Sequence, residues 1–232
     1  MTPLTVRGRP TRALLLAGML LALFAGLGLV AHQARSGTAL DHMVLNVMLT
    51  HRSPTMTTWA LIITTVFSPV GTGVLAVFAG AVMWWRSGSP RPALVVLGTL
   101  AGAGAASTLT KLIVGAHRPP AAVQLIAETD GSFPSGHVTG TLALLGTLAV
   151  VVGQRSDRTA RALLAALAAL AGVAVGFTRL YLGVHWVSDV VGGLLLGAAA
   201  VVLAQLAVQR MVDPVSAAGT SATQTAVPTN AS

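Results

Sequence analysis

The sequence predicts an all-α protein: a polytopic membrane bundle of six transmembrane helices plus a short packing or interfacial helix. Two observations carry this. The 232 residues are 54% hydrophobic and 9% charged, with a mean hydropathy of +0.78, where soluble domains carry roughly 25% charged residues. Apolar runs recur at about 13–31, 69–85, 93–115, 137–152, 161–180 and 187–208, and about 20 such residues cross the hydrocarbon core.

The first run follows Arg7, Arg9 and Arg12. A signal peptide begins similarly, but this run exceeds the usual apolar region and Leu29-Val30-Ala31 makes a poor cleavage site. It reads as an uncleaved span. A shorter run, about 54–67, stops at Ser68-Pro69. The proline breaks it before it is long enough to span alone, so it reads as the short packing helix. The second span opens at Pro69, with Trp84 and Trp85 at its end. The third is stopped by Pro119-Pro120, the fourth opens at His137, the fifth closes at Arg179, and the sixth opens at His185 to Asp189. Trp84, Trp85 and Trp186 fall at expected interfaces, where amphipathic rings collect. Gly172/Gly176 and Gly193/Gly197 are GxxxG pairs and predict close helix packing. Residues 1–12 read as a cytoplasmic N-terminus, 13–212 as the membrane domain, and the small, polar 213–232 as a disordered cytoplasmic tail.

Charge orients the bundle. Arg7, Arg9, Arg12, Arg86, Arg91, Arg155, Arg158, Arg161 and Arg210 fall on one side; Arg35, Arg52, Lys111, Arg118 and Arg179 fall on the other. The positive-inside rule then puts both termini in the cytoplasm of a multi-pass cell-membrane protein. The net charge of +8 reads as this topological signal, with the bilayer as the partner and no nucleic acid. Cysteine is absent, which removes disulfide and thiolate chemistry.

Lys111, Arg118, His137, Arg179, His185 and Asp189 all lie near helix ends on the extracytoplasmic side. Singly each has a plain reading: a snorkelling lysine, a loop arginine, an interfacial histidine, a packed pair one turn apart. Together, in a chain this poor in charge, they predict a site, because ionisable groups at membrane depth are costly. Lys111, Arg118 and Arg179 are permanent cations with little acid expected nearby. They suit a multiply charged anion, and arginine forks match phosphate. Ser135 can cap the helix that follows and Gly136 allows close backbone approach, so its free N–H groups add to a phosphate seat. His185 can act as nucleophile if Asp189 holds its other ring nitrogen. His137 can protonate the leaving oxygen. A metal on His137, His185 and Asp189 is the rival reading, but three cations around a divalent ion would repel it. No metal and no cofactor are expected. Glu128 and Asp130 read as solvated loop charges that steer substrate.

The segments "KLIVGAHRP" (Lys111 to Pro119), "PSGH" (Pro134 to His137) and "TRLYLGVHWVSD" (Thr178 to Asp189) resemble the three-part signature of the type 2 phosphatidic acid phosphatase superfamily. All spacings match, and the one departure is Thr178 where the family usually has Ser. The resemblance implies a six-helix membrane phosphatase without a metal. It implies a phosphohistidine intermediate on His185, His137 as acid, and phosphate held by Lys111, Arg118, Arg179, Ser135 and Gly136. It implies a phosphorylated lipid as substrate, with undecaprenyl pyrophosphate the first expectation and phosphatidylglycerophosphate or phosphatidic acid the second. A non-catalytic phospholipid binder or transporter is the reading from another functional class.

Overall fold

The structure, a computed structural model, describes residues 9–212; the expected tail and residues 1–8 lie outside them. The described residues form eight α-helices: α1 (Arg9–Ala34), α2 (Ala39–Thr50), α3 (Pro54–Val66), α4 (Pro69–Ser87), α5 (Arg91–Val114), α6 (Gly136–Gly153), α7 (Arg158–Tyr181) and α8 (Val187–Val212), with one 3-10 turn at Ala121–Val123. Six of them, α1 and α4 to α8, are long and apolar enough to cross a membrane. The protein is a multi-pass membrane protein.

Two short helices stand where one was expected. Residues 54–66 form α3, which is too short to span, and Pro54 and Pro69 occupy the first turns of α3 and α4, where proline's missing N–H costs nothing. The second short helix, α2, is apolar but has only 12 residues and carries Asp41, His42 and Asn46, so it falls far short of a span. Its start is fixed by a capping box in which Thr38 and Asp41 exchange hydrogen bonds.

Helices α6 and α8 form the centre and carry the largest buried shares of the six long helices. α1 and α6 pack on α8, α7 packs on α6, and α4 lies outside α5. Small residues permit the close approaches. A Cβ at Gly193 of α8 would lie 2.8 Å from Ser135 O, and one at Gly176 of α7 would lie 2.6 Å from Val190 Cγ1. The GxxxG residues thus sit at helix contacts, as expected. α1 is joined to the site end: Phe24 stacks on buried Phe133, and His32 Nδ1 meets Val114 O at 2.8 Å. Leu, Val and Phe side chains on the outward faces of α1, α4, α5 and α7 remain exposed, as a lipid-facing surface requires.

Trp84 and Trp85 are exposed at the end of α4, but Trp186 is buried. Its Nε1 donates to His117 O at 2.8 Å, its ring meets His42, and Gly37 packs against it. Trp186 fastens α2 and the loop after α5 to the start of α8, and it is not part of an interfacial belt.

Candidate active site

The signature residues gather at one end of the bundle. Lys111 lies in the last turn of α5, which closes on Gly115 at φ 60°. Arg118 follows in the loop, Ser135 precedes α6, Gly136 and His137 begin it, Arg179 lies in the last turn of α7, and His185 and Asp189 flank the start of α8.

The charged core is a relay between Asp189 and Arg118. Asp189 Oδ2 accepts from His185 Nδ1 at 3.0 Å, from Trp186 N–H at 2.8 Å, and from Ser132 Oγ. With Nδ1 donating, Nε2 carries the lone pair, and Arg118 Nη1 lies 3.1 Å from it. The same Nη1 donates to Val184 O at 2.7 Å, and Nε donates to Asp130 O at 3.0 Å. His185 lies between α7 and α8, nine-tenths or more buried. Burial, with Arg118, Arg179 and Lys111 around it, holds its pKa well below the ordinary histidine value. The shift favours the neutral ring, with Nδ1 facing the Asp189 side chain.

A cavity of about 260 Å³ opens on this relay. Lys111, Arg118, Gly136, His137 and His185 reach its wall, beside Glu128 and Asp130. Its other wall runs along α5 through Thr108, Ser107 and Gly104 to Leu100, with Pro69 and Thr72 of α4 and Gly140 of α6 opposite. Lys111 and Leu100 are about 16 Å apart along the helix axis at 1.5 Å per residue. The cavity thus leads from the charged end into the apolar interior between α4, α5 and α6.

Two expectations are corrected. Ser135 occupies the N-cap position of α6 but makes no side-chain cap; its Oγ is buried without a partner, while its carbonyl accepts from Thr139 N–H at 3.0 Å. Arg179, Asp189 and Ser135 are fully buried behind the cavity wall. Arg179 is held by Thr64 of α3, which accepts from Nη1 at 2.7 Å, and by Glu128. Finally, Glu128 and Asp130 are not free loop charges. Asp130 bridges Lys111 at 3.2 Å and Arg118 at 2.5 Å, while Glu128 pairs with Arg179 and lies 3.8 Å from Arg118. Burial works to raise the Asp130 carboxyl, but Lys111 and Arg118 outweigh it and leave the group below its usual range. The cations converge as expected, but with acid among them.

Thr64, Ser132 and the backbone of Trp186 also serve the site and were not read from the sequence. Ser132 had a faint signal, lying two residues before the "PSGH" motif; Thr64 had none.

This fold and site define a helical membrane protein with a cation-lined, histidine-bearing cavity at one end of the bundle. The model of the PAP2 superfamily matches residues 92–212, slightly more than half of the chain, and the chain belongs to that superfamily. Phosphatidylglycerophosphatase B of Bacillus subtilis is 34% identical over 75 residues, 32% of this chain and 37% of that protein. YbjG of Escherichia coli, provisionally named an undecaprenyl-diphosphatase, is 40% identical over 82 residues, 35% of this chain and 37% of that protein. The matched stretches thus span little more than a third of these relatives. In fold, the chain is similar to the crystal structure of a transmembrane PAP2-type phosphatidylglycerolphosphate phosphatase from Bacillus subtilis, with a TM-score of 0.75, 24% identity, and coverage of 84% of this chain and 96% of that one. It is also similar to LpxE of Aquifex aeolicus, with a TM-score of 0.56, 18% identity, and coverage of 73% and 96%.

Proposed function

We propose that the protein is a metal-independent phosphatase of membrane lipids, acting at the extracytoplasmic face through a phosphohistidine on His185, with both termini in the cytoplasm. One observation carries this reading: His185, held through Nδ1 by Asp189, aims Nε2 at a guanidinium beside the cavity that His137 also lines. Arg118 leaves the ring for a phosphate oxygen, and Nε2 then attacks phosphorus. The bond to the leaving oxygen breaks as His137 supplies its proton. Asp189 stabilises the positive charge that develops on the imidazole. Water then attacks the phosphohistidine, His137 takes its proton, and His185 regains its neutral form. Lys111, Arg118 and Arg179, with the N–H groups at Gly136 and the start of α6, spread the phosphate charge. Ser135 lies beside this seat as a buried hydroxyl still free to donate.

The apolar depth of the cavity supports a substrate with a lipid tail. Undecaprenyl pyrophosphate is the substrate we put first, supported by the named relative that is 40% identical. Phosphatidylglycerophosphate is the second, favoured by the name of the other curated relative. The test is inorganic phosphate release by the purified full chain in detergent, from undecaprenyl pyrophosphate, phosphatidylglycerophosphate and phosphatidic acid in parallel. Undecaprenyl pyrophosphate should show the highest kcat/KM. A higher value for phosphatidylglycerophosphate would move the assignment to it, and binding without release from any lipid would mark a binder.

A further inference from the structure

Among the described residues there are five carboxylates, and two of them lie on one short loop facing the cations. Asp130 touches Lys111 and Arg118; Glu128 touches Arg179 and approaches Arg118. Two negative charges are thereby spread over the three cations that the phosphate reading requires. The cation side chains are 10%, 7% and 0% exposed, whereas Asp130 is 55% exposed and Glu128 23%. Buried cations left without a partner are costly, so an empty site needs an anion. The guanidinium and ammonium N–H groups directed at these carboxylates are the ones a phosphate would use.

The loop backbone is held along this stretch, with Arg118 Nε donating to Asp130 O at 3.0 Å and Lys111 Nζ to Gly131 O at 2.5 Å, so it is the two acid side chains that can yield. Leu125 N–H donates to Leu182 O at 2.9 Å, and Ser132 N–H donates to Ala116 O at 2.9 Å. Both acids lie between these two anchors, away from the Ser132 bond that supports Asp189.

We propose that Glu128 and Asp130 form an internal anion that occupies the phosphate seat when it is empty, gives way only to a doubly charged phosphate group, and returns to expel the inorganic phosphate product. This rests on reading the three cations as that seat. A monoanionic phosphodiester carries too little charge to replace two carboxylates, so the pair selects terminal phosphates over diesters. It also keeps the product from remaining on three cations in a poorly hydrated pocket.

The experiment is calorimetric binding of inorganic phosphate, orthovanadate and dimethyl phosphate to the purified full chain and to Asp130→Asn, Glu128→Gln and the double variant. Asp157→Asn, which alters only the cap of α7, is the control. The double variant should bind phosphate and vanadate about tenfold tighter, since a competing charge pair has been removed, and should bind dimethyl phosphate where wild type does not. Asp157→Asn should match wild type. If the double variant does not fold, Asp130→Asn decides alone, because that side chain is half exposed. If wild type binds phosphate and the folded variants bind it equally or more weakly, the pair is a fixed support for the cations and this inference fails by itself. If neither wild type nor variant binds either oxyanion, the cations are not a phosphate seat and the proposed function fails with it.

Discussion

His185 Nδ1 lies 3.0 Å from Asp189 Oδ2, one helical turn further along the chain. Ser132 and the Trp186 amide share that carboxylate oxygen, so the group that orients the ring is itself fixed. His185→Ala should abolish phosphate release while leaving the cations able to bind vanadate. Asp189→Asn keeps the shape and loses the charge; it should lower kcat by about 10²–10³, the range for one electrostatic stabiliser in a dry site. Acid-labile, base-stable phosphate should be trapped on the wild type by quenching a reaction with labelled substrate. Release by His185→Ala at the wild-type rate would rule out His185 as nucleophile.

Protonation of His185 would block attack. Burial and the surrounding cations depress its pKa, so the ring stays neutral down to a lower pH than an ordinary histidine, whose midpoint is about 6.5. The loss of nucleophile comes as pH falls through the depressed value, and raising the pH costs nothing at this residue. Carbon-13 NMR of labelled histidines, with His185→Gln to assign the resonance, should place its midpoint clearly below about 6.5. A midpoint at or above that value would mean that burial and the cations do not control the ring.

Catalysis should survive EDTA. Among the described residues no group of three or more His, Cys, Asp or Glu is placed to hold a metal ion. Glu128 and Asp130 are committed to Lys111, Arg118 and Arg179, and Asp189 to His185. Activity lost in chelator and restored by Mg²⁺ or Zn²⁺ would overturn the mechanism.

The orientation is tested by labelling. The chain has no cysteine, so a single introduced one reports cleanly. Ala127→Cys, exposed on the acidic loop, should react with an impermeant thiol reagent in intact cells; Thr159→Cys, exposed at the start of α7, should not. The opposite pattern would put the site in the cytoplasm.

The spans and the signature residues were legible because each is local. An apolar run of 20 residues has one plain meaning in a chain this poor in charge, and Lys111, Arg118, His137 and His185 stand at helix ends within short motifs. What escaped was set by tertiary placement. Thr64 reaches Arg179 across 115 positions, and no periodicity marks it. Glu128 and Asp130 look like any loop acids until the loop folds back on the cations. Trp186 follows the sequence rule for an interfacial ring, but α2 covers it, and α2 itself, though apolar, is too short to stand out as a span. Its one available signal was the Thr38 to Asp41 capping pair.

The last prediction concerns the apolar arm of the cavity. Gly104 lies on α5 two turns deeper than Lys111, on the cavity wall, and a Cβ there would meet nothing within 4 Å. Gly104→Leu should therefore be accommodated by the backbone, and it removes a helix-interior glycine that costs about 1 kcal/mol relative to alanine. Its side chain would fill space between α4, α5 and α6 that a lipid tail would use, without touching His185, His137 or the cations. For a lipid phosphate, KM should rise about tenfold or more, in keeping with the loss of a few buried methylenes at about 0.8 kcal/mol each. For a short aryl phosphate, which needs only the charged end, kcat and KM should stay at wild-type values. That contrast separates a blocked tail channel from a damaged site. Equal losses on both substrates would show that α5 had shifted Lys111. No loss on either would show that the lipid tail lies elsewhere, against the outer surface of the bundle.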